Sequence, residues 1–434
     1  MFALLVIILI DTSLVKVYDL VEKYYLPTEG KLILFCALSF ACVLLQCVII
    51  RYLKSIKKDY SKKKLAVRIF DLIPLASLYA IGAVFAVLAF QQFYYNHYNK
   101  ILSILVITIS YGTASILIIR LSTLFISWYI SQKNIIILLY FLSMSLIAFS
   151  LITTAFITSL KINERPHEIR EFIGGSANIY VGKFIILDTV YTASSFMSFI
   201  SLWVTTAILM NYYRDKLVNA IGYWVMISIP LIYFLVNYFY TTIFGNLLVS
   251  SRTLDPVGIS IVLTTFLTLS KPVGGLTFGV AFWKISRSIR YEKNISTYMV
   301  TCGWGMLLIF GANQATAQVL YPYPPFGLAT ITVMITAAFL MLLGIYNSAV
   351  LVSASTDLRK DIHKHALQSK LLGLIGRAEV EKEVQKTINE IIRDRDMKIS
   401  EEDTKPRLEL DAAELSKYLE LVARELKKDK DQNN

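Results

Sequence analysis

Apolar residues do not alternate with polar ones at a surface-helix or strand period along most of this chain; they run on for nineteen residues or more, stop at short polar connections, and run on again. Runs of that length match the roughly 20 residues a helix needs to cross the hydrocarbon core, and a continuous run excludes the in-out alternation of a barrel strand. The pattern predicts nine spans, at 31–51, 71–93, 101–122, 135–159, 185–210, 218–241, 256–283, 296–319 and 327–352. The fold class is therefore all-α. An N-terminal extension (1–30) holding a partial apolar helix precedes a transmembrane bundle (31–354), and an amphipathic helical tail (355–434) follows it.

The opening MFALLVIILI is too short to span and lacks both a basic flank and a small-residue cleavage site, so it reads as a truncated or re-entrant helix rather than a signal peptide. Past Asp357 the pattern changes. Leu358, Ile362, Leu372, Val380, Val384, Ile388 and Ile391 recur at mainly helical spacing among mixed charges, interrupted by Gly373 and Gly376. After Pro406, Asp411 is placed to cap a last helix with Leu415, Tyr418, Leu419, Val422 and Leu426 on one face. Such stripes require a covering surface: the tail packing on itself, self-association through it, or a cytoplasmic protein partner.

Charge orients the spans. The connections 51–68, 131–134, 211–219 and 283–294 hold fifteen Lys and Arg, and the alternate set holds nine, so the first set and the tail are expected in the cytoplasm. The formal net charge is +12, yet the part after Ser355 carries 17 basic against 18 acidic residues, which places the surplus beside the membrane. Arg51, Lys54, Lys57, Lys58, Lys62, Lys63, Lys64 and Arg68 form the densest group, suited to the anionic headgroups of a lipid bilayer at roughly 1 kcal/mol per basic side chain. A topology signal and nothing more is the simpler reading of them. Nucleic acid is not an expected partner.

Polar residues inside apolar runs are the candidates for chemistry. TLSKPVGGLTFG sets Lys271, Pro272, Gly274 and Gly275 in the seventh span, where proline removes a helix bond and an ammonium is costly. This reads as a broken helix lining a ligand or ion path, or as a kink with Lys271 snorkelling to the cytoplasmic headgroups and Gly275 and Gly279 serving close packing. In the fifth span Asp188, Thr192, Ser195 and Ser198 share a face, a water-lined path or an interhelical contact. Asn313, Gln314 and Gln318 close the eighth span as amides for a small polar ligand or for bonds across helices. Arg120 and Asp71 read as a cytoplasmic-side ion pair or as interfacial groups, and Asp188 and Lys271 are expected at different depths.

No enzyme is expected. Cys36, Cys42, Cys47 and Cys302 lie in apolar runs without a CxxC pair; His97 and His167 lack metal-ligand spacing. His363 and His365 lack the acidic and proline neighbours of a phospho-acceptor motif, and no phosphate loop accompanies them. No metal and no cofactor is implied.

The strings ILMNYYRDKLVNAIGYW, TLSKPVGGLTFGVAFW, GWGMLLIFGANQATAQ and LRKDIHKHALQSKLLGLIGRAE resemble an uncharacterised family of archaeal polytopic membrane proteins over most of the chain. That resemblance implies the membrane class and no activity. A weaker likeness is to the multi-span input regions of sensor kinases, without the kinase: a last span introduced by YPYPPFG runs directly into a charged juxtamembrane helix. Together these readings lead to a receptor-like or regulatory membrane protein, with a secondary transporter and a scaffold subunit of a membrane complex as the alternatives.

Overall fold

The computed structural model describes residues 1–24, 28–56, 65–95, 98–164, 185–211, 220–250, 269–289, 292–313, 324–354 and 370–401, at several helix ends by backbone alone. Among the described residues there is no strand. The described residues form eleven helices: α1 Phe2–Tyr24, α2 Thr28–Ile56, α3 Leu65–Tyr95, α4 Lys100–Gln132, α5 Ile135–Glu164, α6 Ile185–Asn211, α7 Ala220–Ser250, α8 Ser270–Ser288, α9 Lys293–Asn313, α10 Leu328–Ala354 and α11 Lys370–Glu401.

Seven of the described segments are long and apolar enough to cross a bilayer: Glu29–Lys54, Leu72–Tyr95, Lys100–Gln132, Ile135–Leu160, Thr189–Asn211, Lys293–Asn313 and Leu328–Ala354. This is the make-up of a multi-pass membrane protein. The two remaining sequence-predicted spans fall where description is partial: α7 is helical from Ala220 to Ser250 but its apolar core is described only over Tyr223–Asn237, and 251–268 lie outside the described residues. Large apolar side chains such as Leu44, Val48, Phe90, Phe149 and Phe156 are exposed on the outer helix faces. In water such a surface would aggregate, whereas lipid solvates it.

Local chemistry sets the hairpins. Asn99 caps α4 by accepting the Ile101 N–H through Oδ1 at 3.0 Å, and the α4–α5 turn needs only Lys133 and Asn134. Lys133 adopts the left-handed conformation (φ 47°) and donates its N–H to the Tyr129 carbonyl, after which Asn134 Oδ1 accepts from Ile136 N–H at 2.9 Å to start α5. Pro74 and Pro230 lie inside α3 and α7, where the helices continue past them.

Successive helices pack antiparallel, as the contacts Ser143–Ser201 and Thr153–Ser194 between α5 and α6 illustrate. Helix α2 runs parallel to α10: Phe35 meets Phe326 near the start of both, and Gln46 meets Thr336 further along. The bundle therefore has one end marked by Arg51 and an opposite end marked by the turn before α10. Helix α10 stands at the centre, touching α9, α4, α2, α1 and α3, and 100% of its most apolar window is enclosed by protein, against 28% for α3.

Two compact units divide the chain, Met1–Lys382 and Glu383–Asn434, the second described only as far as Glu401. The first thirteen residues of α11, Lys370–Lys382, thus belong to the unit that holds the bundle. The expected boundary at 354/355 marks a change of composition, while packing continues to Lys382.

Candidate functional site: the central helix and its polar contacts

Three sets of contacts hold α10 in place. The first is at its N-terminus, where Pro324, Pro325 and Phe326 lead into Gly327, whose φ of 88° is a conformation that side chains disfavour. This turn delivers unpaired N–H groups to Asp11 of α1. The Asp11 carboxylate, 0% exposed, accepts from Gly327 N–H at 2.9 Å, from Thr330 N–H at 2.9 Å and from the Thr330 hydroxyl at 2.7 Å. It acts as an N-cap supplied from another helix, a negative group at the positive end of the α10 dipole. Leu4 and Ile8, at helical spacing from Asp11, are buried on the same face of α1.

In the next turns of α10, Gln46 of α2 bridges two of its threonines. Its Nε2 donates to Thr332 Oγ1 at 2.8 Å, its Oε1 accepts from the Thr336 hydroxyl at 2.7 Å, and Cys42 Sγ lies 3.3 Å from Nε2. Every group in this cluster is buried and satisfied. Such a cluster fixes the register of two parallel helices and leaves no polar atom over for a ligand.

The third set is made of backbone approaches on α8, α9 and α10. A Cβ on Gly279 would sit 2.6 Å from the Gly303 carbonyl oxygen, and one on Gly275 2.8 Å from Phe310 Cβ. A Cβ on Gly305 would fall 2.9 Å from the Ala337 oxygen, and one on Gly344 2.6 Å from the Tyr298 oxygen. Helices this close exchange dispersion over their whole length, which is how small residues drive association in lipid. The seventh predicted span is therefore continuous from Ser270 on, and its glycines make notches in place of a loosened turn. Pro272 stands in the first turn of α8, where its missing N–H removes no bond from the described helix. Gly274 faces Phe199 of α6, whose ring occupies the space a Cβ would take and stacks on Phe234 of α7 at 3.8 Å.

Lys271 lies 5.8 Å from the centre of the Tyr191 ring on α6, in the half of the bundle away from Arg51. That position corrects the expected snorkelling toward the basic connections: the antiparallel run of α8, α9 and α10 puts the start of α8 near the opposite end. Tyr191 is one helical turn from Asp188, so the two charged positions share a depth, contrary to the expected mismatch. Of Asp188 only the backbone is described.

The polar face of α6 is also rotated from the predicted one. Ser194, Ser201 and Thr205 face α5, with Ser143 bonded to Ser201 at 2.9 Å and near Thr205 at 3.4 Å, and Thr153 to Ser194 at 3.5 Å; Ser198, of the predicted face, is buried and bonds within α6. Thr192 and Ser195 are half-buried beside that seam, and the Ser195 carbonyl accepts from Ser198. These hydroxyls bond across or within helices, as an interhelical contact requires. Asn313 ends α9, half-buried; Gln314 and Gln318 lie outside the described residues, as do Lys57, Lys58, Lys62, Lys63, Lys64, His363 and His365. Arg51 is exposed at the end of α2 and donates to the Tyr79 hydroxyl of α3, Lys54 is half-buried, and Arg68 lies in α3. Arg120 of α4 is exposed.

At the Arg51 end, α11 meets the bundle. Trp128 of α4, wholly buried, donates its indole N–H to Glu379 Oε2 at 2.7 Å, and Gln132 Nε2 donates to Glu381 Oε1 at 3.1 Å. Gly376 lies against Val352 of α10, in a space that a Cβ would fill.

Asp11, Gln46, Trp128 and Glu379 were outside the sequence-predicted set. Asp11 and Gln46 had a usable signal, each a polar side chain interrupting an apolar run; Trp128 and Glu379 had none beyond their helical register. Among the described residues no three His, Cys, Asp or Glu side chains stand together as a metal site, and the four cysteines are free thiols. Comparison with protein-family models, with curated proteins and with solved structures gives no match.

Proposed function

We propose that this chain is a receptor-like or regulatory integral membrane protein. It has nine spans, with the basic hairpin after α2 and the helical tail on the cytoplasmic side, and it couples events at the far end of the bundle to that tail. One observation carries the reading: α10, the most enclosed helix, is capped at one end by Asp11 of α1 and passes at the other toward a helix that contacts the bundle again. A helix held on all sides moves as a body, so a displacement at its capped end is delivered to its other end. The archaeal resemblance belongs to the same proposal and adds no activity to it.

The test is truncation after residue 369 in cells, with the co-purifying proteins compared against the full chain. Loss of specific partners supports the reading, and an unchanged set with no phenotype removes it. Single-cysteine labelling at positions within 57–64 and 402–434 checks the orientation: both must react from the cytoplasmic side.

A secondary transporter remains the second reading because Lys271 and the turn bearing Asp188 lie at one depth. Proteoliposome uptake abolished by Lys271→Met and by Asp188→Asn would favour it; uptake that survives both removes these residues from any path.

A further inference from the structure

Helix α11 begins with a buried face. Leu371, Leu372, Ile375 and Ala378 are 2% exposed or less, Gly376 and Glu379 are buried among them, and the exposed Arg377 points away. Glu379 Oε2 accepts from the indole N–H at 2.7 Å and has Lys382 Nζ at 3.7 Å. The indole itself is immobilised by the bundle: Trp128 packs edge-on against Phe125 at 5.4 Å, and Phe125 stacks on Tyr140 at 5.3 Å. A buried, fixed N–H requires an acceptor and a buried carboxylate requires a donor, so each is the other's answer to desolvation.

Beyond those four buried apolar side chains, the named contacts are few. Trp128–Glu379, Gln132–Glu381 and the Gly376–Val352 notch are local, whereas α9 and α10 interlock through glycines along their length. A short helical segment held by a few specific groups opens at lower cost than the bundle that holds it.

We infer that Lys370–Lys382 is a cis-acting latch, seated on the Arg51 ends of α4 and α10 through Glu379 and Gly376, which detaches as one unit while the bundle stays folded. Its use as the output of the bundle rests on the receptor-like reading; its existence does not.

Hydrogen exchange of the full chain in lipid nanodiscs tests it, read on amides 371–382 and, for reference, on 113–125 and 330–345. In the wild type the latch amides exchange with one common opening equilibrium, distinct from a gradient that rises toward the chain end. Trp128→Phe removes the hydrogen-bond donor, leaves the buried carboxylate to Lys382 at 3.7 Å, and raises that opening roughly tenfold or more. Glu379→Gln, which keeps a carbonyl oxygen for the indole, raises it less; Gly376→Leu opens it outright; Arg377→Ala leaves it unchanged. Graded fraying in the wild type, protection unaltered by both Trp128→Phe and Gly376→Leu, or increased exchange that extends through the α4 and α10 reference amides would each overturn the inference. Failure of the truncation test with this pattern intact would instead sink the receptor-like reading and leave the latch standing.

Discussion

Replacing Asp11 by alanine strips the N-terminus of α10 of its acceptor. Two backbone N–H groups, Gly327 and Thr330, and one hydroxyl lose their partner in a site that is 0% exposed at Asp11. An unsatisfied buried donor costs about 1–3 kcal/mol, and loss of an N-cap costs about 0.5–2 kcal/mol. The Thr330 hydroxyl can turn to a carbonyl of its own helix, so its share is nearer the roughly 0.6 kcal/mol typical of interhelical bonds in bilayers. Part of the loss is returned, because removal of the carboxylate also removes the cost of burying it. The balance is about 2–4 kcal/mol of destabilisation, a shift of roughly 30- to 1000-fold in the folding equilibrium.

The assay is reversible unfolding in mixed micelles at increasing SDS fraction, with hydrogen exchange at residues 328–333 as the local readout. Asp11→Asn retains one acceptor oxygen but turns an amide toward the Thr330 donors, so it falls between alanine and wild type. Thr330→Val deletes one of the three bonds and costs about 1 kcal/mol. If Asp11→Ala shifted stability by less than about 0.5 kcal/mol, or by no more than Thr330→Val, the cap would be decoration and α10 would be anchored by packing alone.

Glycine substitutions separate close approach from open space. Gly279→Ala and Gly344→Ala push a methyl group into backbone oxygens at 2.6 Å and cost about 1–3 kcal/mol in the same unfolding assay, whereas Gly112→Ala and Gly311→Ala meet nothing within 4 Å and gain up to about 1 kcal/mol of helix propensity. Gln46→Leu keeps the volume and loses the bridge; Thr332 already donates to the Ala329 carbonyl at 2.6 Å, so the cost stays near 1 kcal/mol, and a cost above about 3 kcal/mol would mean the amide holds more than helix register. Lys271→Met removes the ammonium from the Tyr191 ring and lowers stability by about 0.5–2 kcal/mol, with Tyr191→Leu giving the same loss and the double variant no more than either single one.

Seven of the nine predicted span positions coincide with described apolar helices, because hydrocarbon imposes one requirement on every crossing helix, a run of apolar side chains with its backbone bonds closed internally. Hydropathy does not distinguish a side chain against lipid from one against protein, so α10, apolar on all sides, looked like any other span and not like the centre of the bundle. The rotation of the α6 seam has the same origin. Hydroxyls occur on more than one face of that helix, and only the position of Ser143 and Thr153 on α5 selects Ser194, Ser201 and Thr205. Asp11 was visible as a charge in an apolar run, yet its role depends on donors more than three hundred residues later.

These placements bear on how α10 can transmit anything. Its glycine contacts bring backbone to backbone at Gly305 and Gly344, so sliding by a fraction of a turn would drive helix atoms into each other, and the enclosed helix has no lipid face on which to relieve the strain. Gln46 holds Thr332 and Thr336 through directional bonds that a small rotation breaks together. Interfaces of this kind favour discrete arrangements over continuous deformation. On the receptor-like reading, the signal is then a rigid displacement of α10 with its partners α8 and α9, and the elements free to answer it include α1, joined to α10 through Asp11 at one end, and the start of α11, joined to it through Gly376 at the other. A variant that loosens the first turns of α10, such as Gln46→Leu, would on this logic leave the opening of residues 371–382 unchanged. One that shifts its end, such as Val352→Ala, would alter that opening directly.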